Sequence, residues 1–416
     1  MPVTITPSKR ILFLVVLITL FLSDSFSQKN NTIPLQTDTL QTSGEGKDIR
    51  DVLKKVFAKD TVLLKELSIR KKTGRLHMSA VPAVGYALQT GFAAAIAANG
   101  AFYTDEHENS NLSVVTLNAV YSEKHQFLLP IQSNIWTEDN KYNFVGDWRY
   151  YKYPQYTYGL GGHTNLANAD LLNYSYLTIR QTVLRHIYKD FYVGLGYMLD
   201  HHWNIVESGL ADGSVTDFQK YGVTSKSTSS GITFNLLHDD RRNPINPSSG
   251  DYVNLVFRCN TTLLSSDQNT QSLILDLRKY FKLPNNSKNV LAMWAYTWLT
   301  LSGKPPYLDL PSTAWDTYSN LGRGYIQSRL RGLNLLYLET EYRFAITKNG
   351  LLGGVFFANA QSVSDWPSNK FEVILPGLGT GIRLKINKHS NTNIAIDYGF
   401  GIGGSNGIFV NLGEVF

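Results

Sequence analysis

The sequence is short of charge and of cysteine. Of its 416 residues, 17% are charged, against about 25% in a typical soluble domain, whereas 12% are aromatic. This composition argues against an ordinary cytoplasmic enzyme. Cys259 is the single cysteine, so an internal disulfide framework is excluded because one thiol has no partner. The hydrophobic content of 43% excludes an intrinsically disordered chain.

Motifs of common enzyme classes are also missing. The sequence contains no H-E-x-x-H and no phosphate-binding loop, the patterns by which a zinc hydrolase and a nucleotide-binding enzyme would hold their metal or phosphate. Two clusters, His201–His202 and His238–Asp240, place potential metal ligands next to each other, but adjacent residues on a strand point to opposite faces. We therefore interpret these histidines as surface or girdle residues and predict no enzymatic activity, cofactor, metal or nucleic-acid partner. A catalytic Ser/His pair on the outer wall of a membrane protein stays open as an alternative.

The N-terminus predicts export. Lys9 and Arg10 precede an apolar run of twelve residues, 11–22, and small residues at 25 and 27 precede Gln28. Twelve helical residues span only about 18 Å, whereas a bilayer core is about 30 Å thick. Residues 1–27 are therefore predicted to be a cleaved signal peptide, and the alternative is a membrane anchor.

Residues 28–79 are predicted to form a periplasmic linker and a short basic amphipathic helix. Residues 28–46 are rich in small polar residues, and residues 47–75 contain ten Lys and Arg against four Asp and Glu. Five apolar residues of this basic segment fall at helical spacing; they are Ile49, Val52, Leu53, Val56 and Phe57. Such a helix fits an anionic lipid surface or a partner protein, or it only trails the main domain.

From residue 80 onward the hydrophobic period changes from 3.6 to 2. No second long apolar run follows residue 22, so helical membrane spans are excluded. In residues 273–280, Leu273, Leu275 and Leu277 lie on one face, and the other face carries Asp276 and Arg278. Residues 336–344 repeat this pattern with several ionisable groups on one face, which does not suit a dry core. Such strands need apolar matter on one side and water on the other.

Turn signals divide residues 80–416 into sixteen strands, most of them longer than those of soluble proteins. Long connections at 149–171, 206–226 and 305–330 alternate with short ones at 188–190, 283–288, 346–350 and 387–391. Alternating long external loops and short periplasmic turns are typical of bacterial outer-membrane barrels. We therefore predict an all-β fold, a 16-stranded transmembrane β-barrel in the outer membrane of a Gram-negative bacterium. Its last strand is predicted to close with Phe416.

Two motifs carry a family resemblance. Between the eighth and ninth strands, the sequence has the pattern D-x-R-x-N-P-x-x-P-x-x-G, formed by Asp239, Arg241, Asn243, Pro244, Pro247 and Gly250. Prolines and Gly250 are suited to a rigid turn that ends in a permissive dihedral. In the longest loop, Arg323, Gly324 and Tyr325 resemble the V-R-G-F/Y motif. Together these motifs resemble the bacterial surface antigen superfamily, the BamA/TamA-type outer-membrane barrels, over residues 80–416.

The resemblance implies a loop that folds back into the barrel lumen. In such proteins the loop arginine pairs with acids on the inner wall, so Arg323 is expected to pair with Glu341. A second family acid is replaced here by Asn359, which brings no charge. We hypothesise a weakened latch that Glu339 compensates; the alternative is a loop that only plugs the barrel. The resemblance also makes Phe416 similar to a C-terminal assembly signal.

The resemblance implies a role in outer-membrane protein assembly or polypeptide translocation. Expected partners are outer-membrane lipid, unfolded outer-membrane protein clients and periplasmic accessory proteins. Family insertases carry periplasmic domains before the barrel, but the 52 residues from Gln28 to Ser79 are too few for a complete domain of that kind. The alternatives are a passive or plugged pore and a structural partner of another envelope protein.

Overall fold

The computed structural model describes residues 46–49, 77–87, 91–105, 111–241, 243–285, 287–388 and 391–416. The predicted signal peptide, the linker to residue 45 and nearly all of the predicted basic helix lie outside the described residues. No helix within the described ranges is long and apolar enough to cross a membrane.

Long antiparallel strands make up most of the described chain. The strands are β1 (His77–Ala87), β2 (Gly91–Phe102), β3 (Ser113–Ser122), β4 (Phe127–Trp136), β5 (Tyr142–Lys152), β6 (Gln155–Thr157), β7 (Asp170–Tyr188), β8 (Phe191–Glu207), β9 (Lys226–Asp239), β10 (Gly250–Asn260), β11 (Thr270–Lys282), β12 (Val290–Ser302), β13 (Asn334–Ala345), β14 (Leu352–Asp365), β15 (Lys370–Phe371), β16 (Leu375–Asn387), β17 (Thr392–Gly401) and β18 (Asn406–Leu412). Among the described residues from 77 to 416, one α-helix, α1 (Asp217–Gly222), and four 3₁₀ helices, Glu138–Asn140, Leu166–Asn168, Thr262–Leu264 and Tyr307–Asp309, accompany the strands.

The predicted strand number is confirmed. Sixteen of the described strands are long, from 7 residues in β18 to 19 in β7, and β6 and β15, with 3 and 2 residues, only extend neighbouring hairpins. Each long strand pairs antiparallel with the next long strand of the chain. Cα atoms of β1 and β18 lie within 8 Å of each other, so the two ends of the sheet are adjacent, as in a barrel.

The loops sort into two ends of the barrel, as the alternation of lengths predicts. Residues 153–169, 208–225 and 303–333 form long connections at one end, which we call the long-loop end. The connections between β7 and β8, β11 and β12, β13 and β14, and β16 and β17 are short and lie at the other end, the short-turn end. The connection between β9 and β10, which contains both prolines of the proline-rich motif, also lies at the short-turn end.

Side chains alternate between an apolar exterior and a polar interior. On β13, Leu338 is 53% exposed, whereas its neighbours Glu339 and Glu341 are 3% and 0% exposed. Successive residues of a strand point to opposite faces, so the apolar set faces outward and the ionisable set faces the lumen. The core of this protein is therefore a polar interior that must pair its own charges.

The end of the chain differs from the prediction. β18 stops at Leu412, and residues 413–416 leave the sheet instead of extending the last strand. Gly413 has a φ of +94°, a left-handed conformation that glycine adopts without a steric penalty. Phe416 is 3% exposed and lies inside the barrel, so the prediction that the last strand closes with Phe416 is wrong.

Candidate functional site in the barrel lumen

The longest loop, residues 303–333, fills the long-loop half of the lumen, and we call it the lumen loop. The hydroxyl of Tyr307 lies 2.8 Å from the hydroxyl of Thr157 in β6, whereas the hydroxyl of Tyr325 donates to the Pro376 carbonyl in β16 at 2.5 Å. These two strands lie far apart around the sheet. The loop therefore crosses the interior and contacts opposite walls.

Hydrogen bonds within the lumen loop hold its two arms together. The amide of Ser328 donates to the carbonyl of Thr313 at 2.9 Å, and the amide of Thr313 donates to the carbonyl of Leu330 at 3.0 Å. At the tip, Oδ1 of Asp316 accepts from the amides of Asn320 and Leu321 at 2.8 and 2.9 Å. These bonds satisfy buried backbone groups and give the loop a defined shape.

Two glycines let the loop tip approach the wall. Gly322 and Gly324 have φ values of +82° and +103°, where residues with a Cβ are strained. A Cβ on Gly324 would lie 2.8 Å from the carbonyl carbon of Phe400 in β17. The backbone between these glycines therefore sits directly on the wall, with Arg323 directed into it.

Arg323 lies at the centre of a buried ion cluster, which we call the latch. Its guanidinium contacts Glu339 and Glu341 of β13, and its Nη1 lies 2.7 Å from Oδ2 of Asp397 in β17. The guanidinium also stacks over the ring of Phe357 at 3.8 Å. Burial alone would lower the pKa of Arg323, but the three carboxylates outweigh that effect and raise it. The arginine is 1% exposed and stays charged.

Two further arginines share the latch carboxylates. Nε of Arg343 lies 2.6 Å from Glu341, and Nη1 of Arg383 lies 2.5 Å from Asp397. Glu414 then accepts from Nε of Arg383 at 2.7 Å. Buried charges are costly unless they are paired and hydrogen-bonded, and this alternation of guanidinium and carboxylate groups provides that pairing.

The structure brings Arg323, Glu339 and Glu341 together, but Asn359 plays a different part. Its Nδ2 donates to the backbone carbonyl of Arg323 at 2.9 Å, and its Oδ1 has no hydrogen-bond partner. Asp397, which the sequence analysis did not single out, supplies the third carboxylate. Its signal was present in the alternating pattern of residues 393–398, where it occupies a polar position.

The proline-rich turn at residues 239–250 reaches across the short-turn end. Asp239 and Arg241 pair at 2.8 Å, and Oδ1 of Asn243 accepts from the amide of Ile245 at 3.0 Å. Pro244 and Pro247 lie within this compact turn, and Gly250, with a φ of +99°, begins β10. The carbonyl of Ile245 accepts from the amide of Glu414 at 3.0 Å, and the carbonyl of Pro247 accepts from Arg343 at 3.2 Å. The turn therefore contacts both the latch and the segment after β18.

Phe416 packs in an aromatic pocket of the inner wall. Its ring centroid lies 5.1 Å from that of Trp294 and 6.3 Å from that of Tyr280. Nη2 of Arg343 donates to its carbonyl at 2.8 Å. In the folded barrel this residue is thus an internal contact.

The histidine interpretation is wrong for His202. It is 1% exposed, stacks on Tyr176 at 4.3 Å, and its Nδ1 lies 3.4 Å from Oδ1 of Asp309 in the lumen loop. Burial, reinforced by the charge of Asp200, raises the pKa of the Asp309 carboxyl to about 7. The other oxygen of Asp309 accepts from the hydroxyl of Ser229 at 2.5 Å.

A cavity of about 290 Å³ lies beneath the lumen loop. Wall residues such as Arg180, Asp200 and Tyr252 line it, and Trp315 and Tyr318 of the loop bound it. In the described residues, His163, Asp365 and Glu372 also place three potential metal ligands within 4.8 Å of one another, without involving either histidine cluster noted in the sequence.

A sheet whose ends are adjacent, with an apolar exterior, a polar lumen and a long loop fixed inside it, has the architecture of an outer-membrane β-barrel. The family model for the Omp85 superfamily domain matches residues 111–408. The chain belongs to the Omp85 superfamily, whose members lie in the outer membrane of Gram-negative bacteria and act as insertases or transporters. A comparison with curated proteins gives no match.

Solved structures share the fold at low sequence identity. BamA from Haemophilus ducreyi lacking POTRA domains 1–3 is 14% identical with a TM-score of 0.53, over 81% of this chain and 69% of that chain. CdiB from Acinetobacter baumannii is 13% identical with a TM-score of 0.50, over 82% of this chain and 60% of that chain. CdiB from Escherichia coli is 11% identical with a TM-score of 0.54, over 80% and 61%. This chain thus spans about three-fifths of the CdiB chains.

Proposed function

We propose that this barrel assists the insertion or translocation of polypeptides at the outer membrane, and that the Arg323 latch holds it in a closed resting state. The observation that carries the proposal is the three-carboxylate contact of Arg323. It joins the lumen loop to β13 and to β17, and β17 is the neighbour of the last strand.

The position of the latch supports coupling between the loop and the junction of the first and last strands. β18 pairs with β17 through seven residue pairs, and the segment after β18 reaches the latch through Glu414 and Arg383. A movement of the lumen loop would therefore change the support of the last strand. In this mechanism the junction between β1 and β18 opens for a polypeptide without covalent chemistry.

The filled lumen argues against a passive pore. Leu321, Tyr325, Leu330 and Arg331 of the lumen loop are each at most 2% exposed, so the long-loop half of the interior is packed. A plugged barrel that serves as a structural partner of another envelope protein is the remaining alternative. Client capture falls, in our proposal, to a periplasmic accessory protein or to the basic segment before the barrel.

The test is insertion of an unfolded outer-membrane protein into liposomes that contain the purified barrel. We expect wild-type liposomes to fold the client faster than empty liposomes, and Arg323→Ala to lose most of that acceleration. Arg278→Ala is the matched control, because it removes a lumen guanidinium that is hydrogen-bonded to Asp276 on the same strand and acts on the loop through its charge near Asp316. Retention of full activity by Arg323→Ala, or loss of equal size in both variants, would contradict the proposal.

A further inference from the structure

The segment Gly413–Phe416 is held in the barrel without belonging to the sheet. β18 ends at Leu412, and Val415 and Phe416 are each 3% exposed. Side chains of other elements donate to two of its carbonyls and to the carboxylate of Glu414, and the amides of Gly413 and Glu414 donate to backbone carbonyls of Asn393 and Ile245. It is bound as a short peptide would be bound, through three subsites that contact the side chain of Glu414, the backbone of residues 414–416 and the ring of Phe416.

The first subsite accepts the acidic side chain of Glu414. Nε of Arg383 donates to Oε2 of Glu414 at 2.7 Å, and Nδ2 of Asn393 donates to Oε1 at 2.7 Å. Arg383 and Asn393 are 3% and 6% exposed. Charge-assisted bonds of this kind select a carboxylate over a neutral side chain.

The second subsite reads the backbone. Nδ2 of Asn320 donates to the carbonyl of Val415 at 2.6 Å, and Nη2 of Arg343 donates to the carbonyl of Phe416 at 2.8 Å. The carbonyl of Ile245 accepts from the amide of Glu414 at 3.0 Å. None of these bonds depends on the side chain at position 415.

The third subsite is aromatic. The ring of Phe416 lies against Trp294 and Tyr280, with centroid distances of 5.1 and 6.3 Å, and Cζ of Arg343 lies 5.5 Å from its centroid. Aromatic pairs and a guanidinium over a ring favour an aromatic ligand.

Three of the binding groups are also held by contacts that do not involve the segment. Arg343 pairs with Glu341 at 2.6 Å and Arg383 with Asp397 at 2.5 Å. Nε1 of Trp294 donates to Asp276 at 2.8 Å. Departure of the segment would therefore leave Arg343, Arg383 and Trp294 with a partner, so the guanidinium and aromatic parts of the site are organised in advance of the ligand.

We infer that this is an exchangeable peptide-binding site for an acidic, apolar and aromatic sequence of three residues, occupied in this structure by Glu414–Phe416 of the chain itself. A segment of a polypeptide client with this pattern would compete for the same subsites. The inference deepens the proposed function, on which its biological meaning rests, because it names the kind of polypeptide segment that the lumen recognises.

The test measures binding of a dye-labelled peptide, Asn-Leu-Gly-Glu-Val-Phe, to the purified barrel by fluorescence anisotropy. The receptor is a variant that lacks residues 414–416, and its folding is checked by heat-dependent gel mobility. We expect the peptide to bind this variant and not the intact chain, whose site is filled. A peptide with alanine in place of its phenylalanine should bind about tenfold or more weakly, and a peptide with glutamine in place of its glutamate should also bind more weakly.

A second receptor, with Glu414→Gln and Phe416→Ala in the full chain, covers the case in which the shortened chain does not fold. Equal binding of the native and alanine peptides, absence of binding to a folded variant, or failure of both variants to fold would overturn the inference, because the segment would then be part of the core. Peptide binding without acceleration of client insertion would leave this site standing and contradict the proposed function. Insertion that depends on Arg323, without peptide binding, would do the reverse.

Discussion

Nη1 of Arg323 lies 2.7 Å from Oδ2 of Asp397, so the tip of the lumen loop is fixed to the strand that precedes the last one. The two residues are 74 positions apart in the sequence. Asp397 also pairs with Arg383, which in turn binds Glu414 after β18. A continuous set of charges therefore joins the longest loop to the end of the sheet.

Gly324→Ala should lift the loop tip from β17. The new Cβ would meet the Phe400 backbone at 2.8 Å in a residue with a φ of +103°, and strain plus displacement should cost about 2–5 kcal/mol. Gly350→Ala is the control, because Gly350 also has a positive φ, +71°, but has no atom within 4 Å of the added Cβ. That change should cost about 1–2 kcal/mol. Thermal unfolding of both variants checks the difference, and equal losses would contradict the close approach.

Asn359→Asp should destabilise the latch, although it restores the acid of the family motif. Nδ2 of Asn359 donates to the backbone carbonyl of Arg323 at 2.9 Å, and a carboxylate at this position cannot donate. The variant leaves a buried carbonyl without its donor and adds a fourth acid near Arg323, so we expect a loss of about 1–3 kcal/mol. Denaturant unfolding measures it. A more stable variant would show that Asp397 has not taken over the acidic role.

Asp309 should make docking of the lumen loop depend on pH. Its folded-state pKa is raised to about 7 from an ordinary value of 3.8, so its contribution to stability is fully present below about pH 4 and is lost as the pH rises toward 7. Asp200, Arg258, Arg180, His202 and Ser229 surround it. The hydrogen-exchange protection factors of residues 303–311, which correct for the faster intrinsic exchange at high pH, should therefore be lower at pH 8 than at pH 5.

Asp309→Asn should remove much of that difference, because an amide stays neutral over the same range. Its protection factors at pH 8 should be close to those of the wild type at pH 5. An unchanged pH dependence in this variant would assign the effect to another group.

Asn243→Ala should loosen the contact between the proline-rich turn and the segment after β18. Oδ1 of Asn243 accepts from the amides of Ile245 and Asn246 at 3.0 and 3.3 Å, and loss of these bonds should cost about 1 kcal/mol. Hydrogen exchange should increase in residues 413–416 as well as in the turn. Asn406→Ala, which removes bonds to Gly404 and Tyr398 at the other end of the barrel, should leave residues 413–416 unchanged.

Removal of the lumen loop should convert a closed barrel into a channel. Replacement of residues 312–331 by a short Gly-Ser linker removes the buried side chains that pack the long-loop half of the lumen. We expect low conductance for the wild type in planar bilayers and stable open channels for the variant. A deletion of the exposed residues 211–214 is the control and should stay closed; high conductance of the wild type would contradict a plugged lumen.

Much of the fold could be predicted from local patterns. The alternation of residues 336–344 indicated one polar and one apolar face, and β13 has its charged face in the lumen. Turn signals placed all fifteen connections between the long strands, because Gly, Pro, Asn and Asp mark strand ends through their own backbone preferences. The motif around Arg323 indicated a residue that needs buried acids.

Contacts between distant strands could not be read in the same way. Asp397 lies in an ordinary alternating strand, and it becomes a partner of Arg323 only because the folded lumen loop places Arg323 against β17. The inward turn at Gly413 was also missed, because an apolar end of a strand and an apolar inserted segment have similar sequences. His202 was predicted to lie on the surface, because its neighbours in the sequence do not show that the distant lumen loop covers it.

The sequence by itself determined the number of long strands, which face of a strand is apolar and which is polar, and the presence of a long loop with an arginine at its tip. Each of these depends on neighbouring residues. Only the tertiary structure decided which carboxylates hold Arg323, where the proline-rich turn ends and what encloses Phe416. These contacts join elements from opposite sides of the barrel, and they exist because a polar lumen must pair its buried charges with whatever partners the closed sheet brings within reach.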